Sequence, residues 1–355
     1  MFEPLTIQSH SGPYNVSFGT EFLNDLTRVK EGTQHYLIDA NIARLYVNQL
    51  ADVLNSPNSI IIEATETNKS IEKVIPIIEK LVASGIRRGH SLVAVGGGII
   101  QDITCFIGST LLRGIEWRFV PTTLLAQADS CIGSKSSINL GPLKNILGTF
   151  NPPKQVWLCP AFLDSLHHKD IQSGIGEILK VHAIAGEKEF DKLKNDFDKL
   201  IGDREILLNY IRSSLLIKKK YIEIDEFDRG QRNIFNYGHS FGHAIESATH
   251  FAIPHGVAVS IGMDMANHIS VMRSLLPERH LKRMHEVLFA NYKDFLHVPI
   301  ALDDMLHALM KDKKNTTTEL MLILAVGENS DIQRIGVPPD HIFRQQCKIF
   351  LEAIT

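Results

Sequence analysis

Residues 91–102 read SLVAVGGGIIQD, a short apolar run that ends in three glycines and passes into a helical pattern. Ser91 to Gly98 reads as a buried strand and its turn, because a strand covered on both faces is continuously apolar rather than alternating. Two similar runs precede it, HYLID (His35 to Asp39) and SIIIEA (Ser59 to Ala64), with helix-length segments such as IEKVIPIIEKLVASG between them. Strand and helix in alternation predict a parallel, Rossmann-like α/β sheet.

The turn at Gly96, Gly97 and Gly98 lets backbone N–H groups approach a phosphate at the start of the next helix, which carries Ile99, Ile100 and Asp102. It is not GxGxxG, and an unliganded tight turn explains it equally well. Asp39, ending its strand, fits a ribose partner or a helix N-cap. Glu66 and Lys69 follow another strand end, where a solvated surface pair is the plain alternative.

Composition narrows the function classes. The chain has 355 residues, 44% hydrophobic and 22% charged, with a net charge of −3. That balance suits a soluble one- or two-domain protein and gives no support to nucleic-acid or membrane binding. MFEPLTIQSH lacks a signal pattern and no apolar run is long enough to span a bilayer, so a cytoplasmic location is expected. Cys105, Cys131, Cys159 and Cys347 are far apart and form no CxxC pair, which leaves them as reduced, small apolar residues.

Between Arg113 and Asn145 the run RGIEWRFVPTTLLAQADSCIGSKSSINLGPLKN sets Arg113, Thr122, Thr123, Asp129, Lys135, Lys144 and Asn145 among small residues. Lysines as point charges and arginine as a fork suit a phosphate or carboxylate. From about Phe162 long helical patterns take over, giving expected domains of 1–164 (α/β) and 165–355 (mostly helical). GIGEILKVHAI offers Glu177 and Lys180 at i, i+3 in an apolar helix, where an acid requires a partner. Lys218, Lys219 and Lys220 form a basic run with room for one inward-turned member. There is no internal repeat, low-complexity tract or long linker.

The stretch Arg232 to Gly256, RNIFNYGHSFGHAIESATHFAIPHG, carries the densest chemistry. Asn236, His239 and His243 stand at i, i+3 and i+7, the spacing of one helical face. Glu177, His239 and His255 together make a carboxylate and two imidazoles, suited to Zn²⁺ with open positions, and equally to Co²⁺ or Fe²⁺. It is not HExxH, and ligands so far apart carry no diagnostic spacing.

The motifs GGGIIQD, LRG, VPTTLLAQADS, GSK with KN nine residues later, GEILK, RNIFNYGHSFGHAIE, HG and KDKK, in this order, resemble the 3-dehydroquinate synthase family within the sugar phosphate cyclases. The resemblance runs over nearly the whole chain. It implies an N-terminal NAD-binding α/β domain, a mostly helical metal-binding domain, a site in the cleft between them and a homodimer. It assigns zinc to Glu177, His239 and His255. NAD falls to Gly97, Gly98, Asp102, Thr122 and Thr123, with Asp39, Glu66 and Lys69. Lys135, Lys180, Lys218, Arg232, Asn236 and His243 take catalytic positions. Asp129, Asn145 and one lysine of Lys313 and Lys314, set at Lys314, contact substrate, and Arg113 reaches the phosphate in the neighbouring subunit.

The implied chemistry begins with NAD oxidising a ring hydroxyl of a seven-carbon sugar acid phosphate, which acidifies the adjacent C–H. Phosphate leaves, the ketone is reduced again, and the opened ring closes by an aldol step, so net redox change is zero. Relatives that take substrates without a carboxylate tend to alter the positions of Arg232 and Asn236, or of His243. All three are kept here, which favours 3-deoxy-arabino-heptulosonate 7-phosphate over sedoheptulose 7-phosphate or glucose 6-phosphate. A metal-dependent polyol or glycerol-phosphate dehydrogenase would share the architecture but release NADH, and a scaffold that lost activity would show damage among these residues. Two departures from the family pattern stand out: Ser134 replaces a glycine before Lys135, and Val257 replaces an acid after His255-Gly256.

Overall fold

The computed structural model describes residues 2–19, 33–141, 143–312 and 315–354. Two compact units emerge, residues 1–166 with 219–227, and residues 167–218 with 228–355. The return of 219–227 to the first unit has no counterpart in the sequence boundary drawn at Asp164.

In the first unit a seven-stranded sheet is built from β1 (Leu5–Ile7), β2 (Tyr14–Phe18), β3 (Gln34–Asp39), β4 (Ser59–Ile62), β5 (Ser91–Gly96), β6 (Glu116–Pro121) and β9 (Gln155–Leu158). Their order is β1-β2-β9-β6-β5-β3-β4. Only β1 runs antiparallel to its neighbour. The three strands expected from the sequence are therefore present and parallel, with β3 and β5 buried along their whole length. Tyr36, Ile38, Val93, Val95, Val120 and Trp157, alternate residues of neighbouring strands, meet Ile42 of α1 (Ala40–Leu45) in one apolar cluster. A separate antiparallel pair, β7 (Ile138–Leu140) and β8 (Leu143–Leu147), follows β6. Val74, Ile77 and Leu81 form the buried stripe of α2 (Ile71–Ala83), the spacing that an amphipathic helix requires. After β5, Gly97 caps α3 (Gly98–Thr110), so the glycine turn joins strand to helix as expected. All four cysteines are free and buried.

The second unit is helical, apart from the antiparallel pair β10 (Leu320–Val326) and β11 (Asp331–Val337). Its main helices are α4 (His168–Ile184), most of α5 (Arg204–Ile224), α6 (His239–Ala248), α7 (His255–Met272) and α8 (Glu278–Tyr292). Fourteen of the eighteen residues of α7 are buried, which makes it the axis of the unit. Some of the buried polar groups on α7 find partners, which offsets the cost of removing them from water. Asp264 Oδ2 accepts from Tyr292 Oη at 2.6 Å and His285 Nδ1 at 2.7 Å, and Asn291 Nδ2 donates to Ser260 Oγ at 3.0 Å. Among the described residues no helix is long and apolar enough to cross a membrane.

Candidate active site

Three helices of the second unit converge because glycine lets their backbones touch. A Cβ on Gly176 would stand 1.9 Å from the Gly256 carbonyl oxygen, so α4 and the start of α7 approach closer than side chains permit. Glu177, next to Gly176, and His255, next to Gly256, are thereby neighbours. His255 Nε2 lies 3.3 Å from Glu177 Oε1, and His239 Nε2 lies 3.6 Å from the same oxygen. The imidazoles of His239, His243 and His255 offer ligand atoms that all lie within 4.8 Å of one another. The sequence set Glu177, His239 and His255 is thus brought together, and His243, read as a substrate contact, joins it.

The expectation that Asn236 shares a helical face with His239 and His243 does not hold. Asn236 ends the 3-10 turn Gln231–Asn236, and α6 begins only at His239. Between them Gly238 takes φ 76°, and a Cβ there would meet Val259 O and Met263 Cγ at 2.6 Å, so the chain breaks where only glycine fits. Asn236 Nδ2 instead donates to Asn233 O at 3.0 Å.

Electrostatically the cluster is polarised. Lys180 is 2% exposed, its Nζ 2.5 Å from Glu177 Oε2 and 5.6 Å above the Phe235 ring. Burial, Lys180 and the adjacent imidazoles hold the His239 pKa well below its usual range. Burial also opposes charge on His255, but Glu246 and then Glu177 outweigh it and push that pKa up to about 10. Lys218, the inward member of its basic run, and Arg232 are likewise buried.

A second cluster lies in the first unit. Lys69 is buried, not a solvated surface residue: its Nζ reaches Asp102 Oδ2 at 3.1 Å, Asn145 Oδ1 at 3.0 Å and Glu66 Oε1 at 3.7 Å. Asp102 also accepts from Ser137 N at 3.0 Å and Ser137 Oγ at 3.1 Å. Burial raises its pKa, and Lys69 opposes that rise. Asn139 Nδ2 donates to Glu66 Oε1 at 2.8 Å, tying the start of the loop to β7. Asp39 caps α1, accepting from Asn41 N at 2.9 Å. Thr122 is buried with its N–H bonded to Gly96 O at 3.0 Å, and Thr123 packs beside Gly97. Asp129 lies in a wide helical turn, Ala126–Ser130, while Lys135 is exposed. Exposed Arg113 follows Leu112 in the left-handed region, with φ of 68° and 51°, before Gly114 at 122°. Two such non-glycine residues in succession store backbone strain. Lys313 and Lys314 lie outside the described residues.

Family models agree with this arrangement along the chain: 3-dehydroquinate synthase N-terminal matches residues 59–173, and 3-dehydroquinate synthase C-terminal matches 174–315. The chain belongs to the 3-dehydroquinate synthase family. A 3-dehydroquinate synthase of Chlamydia abortus is 34% identical over 326 residues, 86% of either chain. One of Thermoanaerobacter sp. is 31% identical over 351 residues, 96% of this chain and 98% of that one. Among solved structures, 2-deoxy-scyllo-inosose synthase complexed with carbaglucose-6-phosphate, NAD⁺ and Co²⁺ superposes with a TM-score of 0.84 at 23% identity, covering 98% and 99% of the two chains. The 2-epi-5-epi-valiolone synthase of Streptomyces hygroscopicus, solved with NAD⁺ and Zn²⁺, gives 0.80 at 26%, covering 96% of each. An iron-containing alcohol dehydrogenase of Thermotoga maritima gives 0.62 at 16% identity, a likeness of fold alone.

Both departures from the 3-dehydroquinate synthase pattern are buried, and the Ser134 hydroxyl finds no hydrogen-bond partner among the described residues. Ser134 is buried and stays out of the left-handed region that Gly133 enters at φ 111°, so a serine there costs no backbone strain. Val257 is fully buried in α7. The sequence reading passed over Ser137 and Asn139, which complete the Lys69 network. It also passed over Glu246, although Glu246 stands at i+7 from His239 and i+3 from His243, on their helical face.

Proposed function

We propose that this member of the family converts 3-deoxy-arabino-heptulosonate 7-phosphate to 3-dehydroquinate and phosphate, as a carbon-oxygen lyase that uses NAD and a divalent metal. The convergence of Glu177, His239 and His255 carries the reading. A tetrahedral ion with bonds of ~2.1 Å separates its ligand atoms by roughly 3.4 Å. The 3.3 and 3.6 Å spacings from Glu177 Oε1 to the two Nε2 atoms fit that value, so the residues present suit Zn²⁺ or Co²⁺. When bound, NAD would take up and return a hydride, and the metal would stabilise a developing alkoxide.

The chain's own residues have separable roles. Glu177, His239 and His255 would hold the metal. Lys69 and Asp102, with Asp39, Glu66, Gly97, Gly98, Thr122 and Thr123, would bind NAD. Arg232, buried and planar, would grip the substrate carboxylate by its fork, while Lys180 and Lys218 offer positive charge to oxygen that becomes anionic. Lys135, Asn145, Asn236, Asp129 and His243 would orient hydroxyl and phosphate oxygens. Arg113, on its strained turn, would serve the phosphate of a neighbouring subunit in a cytoplasmic homodimer.

The test is phosphate release from 3-deoxy-arabino-heptulosonate 7-phosphate with NAD and Zn²⁺, with absorbance followed for NADH. Stoichiometric phosphate, a product that a dehydroquinase dehydrates and no accumulating NADH are expected. Release from sedoheptulose 7-phosphate or glucose 6-phosphate instead would transfer the protein to another cyclase activity, and NADH in proportion to turnover would make it a dehydrogenase.

A further inference from the structure

We infer that Glu246 is the positioning residue that fixes His255 as a metal ligand, an inference that rests on the ligand reading given above. An imidazole can present one nitrogen to a metal only if the proton is kept on the other. In His255 the two nitrogens face different carboxylates: Nε2 points to Glu177 Oε1 at 3.3 Å, and Nδ1 to Glu246 Oε2 at 3.1 Å. A carboxylate accepts and cannot donate, so Glu246 keeps a proton on Nδ1 and leaves Nε2, on the Glu177 side, as the nitrogen that gives up its proton to a metal.

His239 shows the same arrangement with a neutral partner. Its Nδ1 faces the Tyr237 carbonyl oxygen at 3.3 Å, while Nε2 faces Glu177 Oε1 at 3.6 Å. Each ring thus has its outer nitrogen on an acceptor and its inner nitrogen toward Glu177. The two differ in strength, because a charged acceptor binds an N–H about twice as strongly as a neutral one and raises the basicity of the ring.

The position of Glu246 costs something. It sits in the last turn of α6, where the helix dipole disfavours negative charge. Its side chain is only 14% exposed, so solvent relieves little of that cost. Val257, which follows His255-Gly256, is apolar and fully buried, and Glu246 reaches His255 from the neighbouring helix.

The experiment titrates metal-free protein with Zn²⁺ against a chromophoric chelator, and with Co²⁺ by its visible absorption, for wild type, Glu246→Ala, Glu246→Gln and His255→Ala. Thermal unfolding of each metal-free form checks that it is folded. Glu246→Ala should weaken Zn²⁺ 10- to 100-fold, about the loss seen when an outer partner of a ligating histidine is removed. Glu246→Gln, whose amide oxygen still accepts from Nδ1, should weaken it several-fold, and it decides the matter where Glu246→Ala does not fold. Wild-type affinity in the Glu246 variants, with binding lost in His255→Ala, overturns the role of Glu246 alone. Wild-type affinity in His255→Ala overturns the ligand reading itself.

Discussion

Gly176 and Gly256 meet backbone to backbone, so that a methyl group on Gly256 would stand 1.7 Å from the Ser173 carbonyl oxygen and one on Gly176 1.9 Å from the Gly256 carbonyl oxygen. Since the obstructing atoms are main chain, no rotamer change relieves the clash. Gly176→Ala should therefore separate α4 from α7, cost at least about 3 kcal/mol of stability, the upper end of ordinary overpacking, and abolish metal binding. Gly98→Ala is the contrast: a Cβ there meets nothing within 4 Å. Its unfolding curve should match wild type, and weaker NAD binding in a fluorescence titration would then report the ligand rather than the fold.

Lys69 and Asp102 should behave as a unit. Removing one member of a buried ion pair strands the other, typically at 3–5 kcal/mol. Lys69 is buried and Asp102 keeps two contacts from Ser137, so Lys69→Met should cost less, roughly 2 kcal/mol in stability. If both residues serve NAD, the variant should also weaken NAD at least tenfold in equilibrium titration. Unchanged NAD affinity beside lowered stability would make the network structural only.

His239→Ala should lose both metal and activity. A chelator should inactivate wild type, and Zn²⁺ or Co²⁺ should restore it, whereas the variant should recover with neither. Metal analysis of the purified variant decides the point, since full occupancy would remove His239 from the ligand set.

How much of this was legible in the sequence follows from how local each interaction is. The parallel strands were readable because burial on both faces leaves an uninterrupted apolar run, as in β3 and β5. The histidine spacing was readable because i, i+4 neighbours share a helical face. Asn236 misled for a local reason of another kind: Gly238 turns the chain left-handed, and periodicity does not register a single positive φ. The Lys69–Asp102 pair joins residues 33 apart, and the Glu177–His255 pair joins residues still farther apart; no period links them. Glu246 was hidden differently, since its side chain resembles any surface glutamate until the imidazole of His255 arrives from α7.

Acid should weaken the first unit through His35, a fully buried residue on β3. Ser84 Oγ donates to Leu81 O at 2.9 Å, so it accepts from His35 Nδ1 at 3.2 Å, and His35 Nε2 then accepts from His90 Nδ1 at 3.1 Å. Burial first, and the nearby His90 second, lower the His35 pKa to about 4. Between that value and about 6.5 the unfolded chain takes up a proton that the folded one refuses. Stability from this residue is therefore complete above about pH 6.5 and falls as pH drops toward 4, by up to roughly 3 kcal/mol. Chemical unfolding of wild type and His35→Gln across this range should show a shallower pH slope in the variant, and equal slopes would exclude His35 as a source of acid sensitivity.

Arg232 offers the sharpest test of which substrate the second unit is built for. Arg232 is buried in the 3-10 turn ahead of α6, and its guanidinium presents a planar fork of donors. A carboxylate matches the planar fork with two parallel hydrogen bonds, whereas a neutral hydroxymethyl offers one acceptor and no charge. Arg232→Ala should therefore raise KM for 3-deoxy-arabino-heptulosonate 7-phosphate by at least about 30-fold, corresponding to ~2 kcal/mol, within the range of charge-assisted pairs. Arg232→Lys should recover only part of this, because an ammonium keeps the charge but not the fork. An analogue lacking the carboxylate should bind wild type and Arg232→Ala with similar affinity. If the substrate's KM is unchanged in Arg232→Ala, the arginine does not hold the carboxylate, and the preference for a sugar acid over a neutral sugar phosphate loses its main support.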